Sequence, residues 1–96
     1  MIVEYLRYEV EEARQAKFVA DYKNASEPLL SSPYALSFDL CQCVEDPSQF
    51  ILRIEWTSAK DHLEGFRGSD EFKEFFASIQ SYVADIAEMR HYTRMS

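Results

Sequence analysis

Between Phe50 and Phe76 the hydrophobic period of the chain changes once, and that change restricts the fold more than any other feature. The stretch reads FILRIEWTSAKDHLEGFRGSDEFKEFF. Its first part alternates, with Phe50, Leu52, Ile54 and Trp56 on one side and Ile51, Arg53, Glu55 and Thr57 on the other; a period of two is that of a strand. The alternation stops at Thr57 and Ser58, two good helix-capping residues, and Asp61 follows Ser58 at capping-box spacing. A short helix is predicted over Ala59–Phe66, with His62, Leu63 and Phe66 on one side. Gly68 breaks it and Ser69 caps the next helix, over Asp70–Ala84, where Phe72, Phe75, Phe76, Ile79 and Val83 share a face. The stretch is expected to form one wall and the lid of a small apolar cavity.

The flanking segments supply the partners. Met1–Val10 alternates, with Ile2, Glu4, Leu6, Tyr8 and Val10 on one face and Val3, Tyr5, Arg7 and Glu9 on the other. Glu11 to about Asn24 carries a broad apolar helical stripe, and Pro28 places the helix end before it or close to it. Ser26–Pro33 then reads as a turn or a short helical piece. Tyr34–Val44 alternates again, with Tyr34, Leu36, Phe38 and Leu40 on one side. The turn Glu45-Asp46-Pro47-Ser48 joins it to Gln49–Trp56 as an antiparallel hairpin. Ile86–Met95 is the last strand, with Ala87, Met89, His91, Thr93 and Met95 on the side taken to face the helices and Ile86, Glu88, Arg90, Tyr92 and Arg94 on the other.

The order β-α-β-β-α-α-β predicts an α+β, ferredoxin-like fold: a four-stranded antiparallel sheet with its helices on one face. At 96 residues the chain is expected to be a single domain, 1–96. It is 47% hydrophobic and 15% aromatic, more apolar bulk than one small core uses. A symmetric homodimer covering the bare sheet face would bury the remainder. The net charge of −7 argues against nucleic acid and anionic membranes as partners. No run approaches membrane-spanning length, and strand-like alternation begins at Ile2, so a cytoplasmic protein without a cleavable leader is expected. Cys41 and Cys43, two apart in a strand, are expected to be reduced thiols, and no metal-ligand spacing accompanies them.

The element order, together with Ile54-Glu55-Trp56, Thr57-Ser58, His62-Leu63 and Gly68-Ser69-Asp70-Glu71-Phe72, resembles the antibiotic biosynthesis monooxygenase family over essentially the whole chain. The resemblance implies a homodimeric α+β barrel with a cavity in each subunit between sheet and helices. It implies oxidation of small aromatic phenols or quinols by molecular oxygen, with no metal and no cofactor. Trp56 matches the family's cavity-lining strand tryptophan, whereas Leu52 stands where polyketide-oxidising members have an asparagine. In the haem-degrading branch a histidine follows an S-D-x-F-K run; here Glu74-Phe75-Phe76 follows Ser69–Lys73.

Such chemistry needs an apolar slot with a few polar groups that accept or share the proton of a phenol. The catalytic candidates are His62, His91 and Trp56, and the substrate-binding candidates are Tyr5, Tyr34, Leu36, Phe38, Leu52, Phe66 and Phe76. Each also has a plain structural reading. His91 could be a hydrogen-bonded core histidine, the tyrosines strand packing residues, and the phenylalanines core. Three readings of the chain follow: a cofactor-independent monooxygenase, an aromatic-metabolite binding protein of the same fold, and a structural dimer whose cavity its own side chains fill.

Overall fold

The computed structural model describes residues 1–96. Strands β1 (Ile2–Glu9), β2 (Ala35–Gln42), β3 (Gln49–Trp56) and β4 (Ile86–Thr93) form one antiparallel sheet in the order β2-β3-β1-β4. Helices α1 (Glu12–Ser31) and α2 (Asp70–Ile79) pack on one face of it. The fold is the ferredoxin-like α+β arrangement. The central pair β1 and β3 contributes the most deeply buried strand residues, among them Tyr8, Leu52, Ile54 and Trp56, each at most 2% exposed. Phe18 of α1 sits among Tyr8, Phe50 and Tyr82, with ring centroids 4.9 to 5.1 Å away. No helix is long and apolar enough to cross a membrane.

The helices depart from the predicted bounds. α1 continues to Ser31 with Pro28 inside it, where the sequence placed its end near Asn24. Proline in a helix interior costs on the order of 3 kcal/mol. The last turns offset that by burying Ala25 and Leu29 completely, with Pro28 beside them. After β3 the Ser58 hydroxyl accepts the Asp61 N–H at 2.9 Å, the expected cap, and the Thr57 hydroxyl donates to Asp61 Oδ2 at 2.6 Å. The turn that follows, Asp61–Phe66, is π-helical rather than α-helical. Its hydrogen bonding widens so that Arg67 N–H donates to the carbonyl of His62, five residues back. Both His62 and Phe66 are thereby turned inward and buried. α2 ends at Ile79, and a 3-10 segment, Gln80–Asp85, completes what the sequence predicted as one helix.

Two bulges correct the strand faces. In β2 the register shifts between Ala35 and Ser37, so Leu36 is the extra residue and stands 47% exposed. In β4 Tyr8 pairs with Ile86 but Arg7 with Glu88. Ala87 is the extra residue there, and Ile86 packs on the core from the face that simple alternation denied it. The other sheet face carries Tyr5, Tyr92, Arg53 and Arg94. Cys41 and Cys43 are free thiols.

Candidate active site

The register of the sheet builds the site. Glu4 on β1 pairs with Ile54 on β3 and with His91 on β4. Trp56, one alternation step beyond Ile54, is therefore a diagonal neighbour of Glu4 on the same face. The π-helical turn brings His62 over this corner. Its ring stacks on Trp56 with centroids 4.3 Å apart and planes 12° from parallel.

These four side chains form one polar cluster in an apolar surrounding. Trp56 Nε1–H donates to Glu4 Oε1 at 3.1 Å. His62 Nδ1 lies 2.8 Å from His91 Nε2, and His62 Nε2 lies 3.5 Å from Glu4 Oε1. His91 Nε2 lies 3.7 Å from Glu4 Oε2. Glu4 is 2% exposed and His62 4%. With its proton on Nε2, His91 donates to His62 Nδ1; the 3.5 Å approach of His62 Nε2 to Glu4 Oε1 is a polar contact rather than a hydrogen bond.

Burial sets the protonation of the cluster. It raises the Glu4 carboxyl from 4.5 to about 7, against the lowering influence of the Trp56 hydrogen bond and the Arg67 charge. It lowers His62 from 6.5 to about 4, helped by His91 and Arg67, and lowers His91 in the same direction. At neutral pH both imidazoles are uncharged and Glu4 is poised to take up or release a proton, as a general acid–base group should be.

Glu4, Trp56 and His62 of this cluster line a cavity of about 270 Å³. The sheet contributes Leu6, Ile54, Trp56, Ile86 and Met89. The π-helical turn contributes His62, Phe66 and Arg67, and α2 contributes Phe72, Phe75, Phe76 and Ile79, with Val83 beyond it. A larger hollow of about 640 Å³ lies on the opposite sheet face, between Tyr5, Arg53, Glu55, Tyr92 and Arg94. It is an open, polar saddle and gathers no acid–base cluster.

Of the residues singled out from sequence, Trp56, His62, Phe66 and Phe76 line the cavity, and His91 meets it through His62 and Glu4. The others lie elsewhere. Tyr5 faces the opposite side of the sheet, against Tyr92 at 5.4 Å. Leu36 is turned out by the bulge. Leu52 is buried in the core, and no residue of β2 or α1 lines the cavity, so Phe38 packs on the core instead. Tyr34 covers Gly65; a Cβ on that glycine would meet the Tyr34 ring at 2.8 Å. Sequence reasoning missed Glu4 and Arg67. The signal for Glu4 was present: it is the one charged residue on the Ile2, Leu6, Tyr8, Val10 face, and a charge in that position is seldom buried without a purpose. Arg67 follows the helix whose π geometry the sequence did not announce.

A family model described as antibiotic biosynthesis monooxygenase matches residues 1–78. The uncharacterized protein YczJ of Bacillus subtilis is 25% identical over 96% of this chain and 97% of its own. The polyketide synthase CurD of Streptomyces cyaneus is 33% identical over 81% of this chain, which corresponds to 20% of CurD. Among solved structures, a candidate antibiotic biosynthesis monooxygenase from Bordetella bronchiseptica superposes with a TM-score of 0.85 at 22% identity, covering 99% of this chain and 97% of that one. A conserved protein from Methanosarcina mazei superposes with a TM-score of 0.80 at 21% identity, over 98% and 92% of the two chains. At these identities the structural likeness carries the fold.

Proposed function

We propose, for a chain that belongs to the antibiotic biosynthesis monooxygenase family, that it oxidises a small aromatic phenol or quinol with molecular oxygen in the cavity beneath Trp56, as a homodimer. The observation that carries this reading is the Glu4–His62–His91 cluster, of which Glu4 and His62 line a largely apolar slot together with Arg67. Phe66, Phe72 and Phe76 wall the cavity, and a flat ring seated against them would direct its hydroxyl at Glu4 and His62. Glu4, with its carboxyl near neutrality, accepts the phenol proton directly or through His62. Arg67 favours the phenolate that results.

The phenolate supplies the electrons. One oxygen atom of O2 replaces the ring hydrogen to give the quinone, and the other leaves as water with the two hydrogens lost by the substrate. A space of about 270 Å³ suits one or two rings. It also argues against a purely structural dimer, in which the protein's own side chains would occupy it.

The test is oxygen uptake by the purified protein with a panel of hydroquinones and anthrones, without added cofactor. Uptake by the native chain that falls roughly 100-fold or more in Glu4→Gln supports the reading. Quenching of Trp56 fluorescence by the same compounds without uptake would replace it with the binding-protein reading.

A further inference from the structure

We infer that Glu4, His62 and His91 together form a site for one divalent transition-metal ion. The inference stands on the geometry of the cluster and does not depend on turnover.

One ligand atom from each residue can be chosen so that all three lie within 4.8 Å of one another. Around His91 Nε2, His62 Nδ1 lies at 2.8 Å and Glu4 Oε2 at 3.7 Å, one atom from each residue; the 3.5 Å approach of Glu4 Oε1 is to the other His62 nitrogen, Nε2, and is not part of that set. Ligands bound at about 2.1 Å around one ion sit roughly 3 to 4 Å apart, so small side-chain rotations complete the set. Two imidazoles and one carboxylate form the set that holds non-haem iron with positions left open, and imidazole also suits zinc, cobalt and nickel. Magnesium and calcium prefer sites built of oxygen alone.

Three further features fit an ion better than a closed hydrogen-bond network. Glu4 lines the cavity, and no group of the chain donates a hydrogen bond to its Oε2. Its Oε1 is held by Trp56 Nε1–H, which orients the carboxylate and leaves Oε2 to a ligand, as outer partners of metal-binding groups do. The backbone also fixes the ligands in advance: Glu4 and His91 are direct cross-strand partners, and His62 is clamped on Trp56. The remaining coordination positions would open into the cavity, where water or a substrate oxygen could reach the ion.

The single tryptophan provides the readout. Chelator-treated protein is titrated with Co2+, following visible absorption and Trp56 fluorescence, and with Zn2+ by calorimetry; Mg2+ serves as the control. One equivalent of Co2+ or Zn2+ per chain, with quenching of Trp56 by Co2+, is expected, and none of Mg2+. Glu4→Gln and His91→Gln should each weaken Zn2+ binding by about tenfold or more. His91, with its side chain 28% exposed, keeps the test alive should Glu4→Gln fail to fold. The double variant Cys41→Ser, Cys43→Ser should bind as the native chain does. No binding at about 1 mM metal, unchanged binding in the His91 variant, or loss of binding in the cysteine variant overturns the site. Oxygen uptake by the chelator-treated protein is measured separately, so the metal site and the proposed oxygenation can fail independently.

Discussion

Glu4 and His91 face each other across β1 and β4, with carboxylate Oε2 and imidazole Nε2 3.7 Å apart. The pair exists because the bulge at Ala87 lies on the far side of it. From Arg7 and Glu88 toward Ile2 and Thr93 the register is unbroken, so Glu4 and His91 share a face. His62 joins from the π-helical turn; Glu4 and His62 are buried, while His91 stands at the exposed edge of the cluster.

Their titrations oppose one another, and this predicts an unusual pH profile of stability. Folded Glu4 keeps its proton up to about 7 against an ordinary 4.5, so its contribution is full below 4.5 and is lost as pH rises through 7. Folded His62 refuses a proton down to about 4 against an ordinary 6.5, so its contribution is full above 6.5 and is lost as pH falls through 4. Each amounts to ~3 kcal/mol by linkage. Between pH 4.5 and 6.5 the two cancel, and His91, lowered in the same direction as His62, leaves the urea midpoint of chelator-treated protein rising only slightly with pH. Glu4→Gln removes one of them, so that variant should gain stability as pH rises across the same window. A level profile in the variant would show that His62 does not titrate as its burial requires.

Trp56→Phe removes the only hydrogen bond that Glu4 accepts while keeping an aromatic wall. A buried carboxyl deprived of its donor costs about 1–3 kcal/mol. Chemical denaturation should register that loss. Affinity for an aromatic ligand should fall more than the dimerisation constant does. Equal losses in both would mean that Trp56 is an ordinary core residue.

The strands and caps were legible because they depend on side-chain alternation and on local hydroxyls: Phe50, Leu52, Ile54 and Trp56 turn inward as their period requires, and Ser58 and Ser69 cap where they stand. The bulges at Leu36 and Ala87 were not, since one extra residue leaves composition and period almost unchanged. The extension of α1 past Pro28 depends on tertiary burial of Leu29, which outweighs a local rule. For the site, Trp56 and His62 could be read from one stretch. Glu4 lies 52 residues from Trp56, and its role emerges only once the strand register brings the two together.

Gly65→Ala should destabilise the protein by about 1–3 kcal/mol through overpacking. The added Cβ would meet the Tyr34 ring at 2.8 Å, and that ring is held against the core. Thermal denaturation of Gly65→Ala, Tyr34→Ala and the double variant forms a cycle. The double variant should be less destabilised than the sum of the singles, because removing the ring removes the clash. Additive losses would place the defect of Gly65→Ala in the helix backbone rather than in the Tyr34 contact.

The bare sheet face supplies the last prediction. Its charges are largely paired within the chain: Arg53 with Asp39 at 2.9 Å, and Arg94 with Glu55 at 2.7 Å. Between them stand Tyr5 and Tyr92, 37% and 46% exposed and packed edge to face. Paired charges around exposed aromatic rings suit a face that packs against its own copy. Tyr92→Glu places a carboxylate among those rings, near Glu55, and should weaken self-association at least about tenfold, since an unpaired buried charge is costly. Tyr92→Phe should leave it intact. Light scattering across a dilution series reads both variants. Because Tyr92 points away from the cavity, ligand quenching of Trp56 should persist in whatever fraction of Tyr92→Glu remains folded. A native chain that is monomeric at every concentration, or a Tyr92→Glu variant that dimerises as tightly as the native chain, removes this face as the interface.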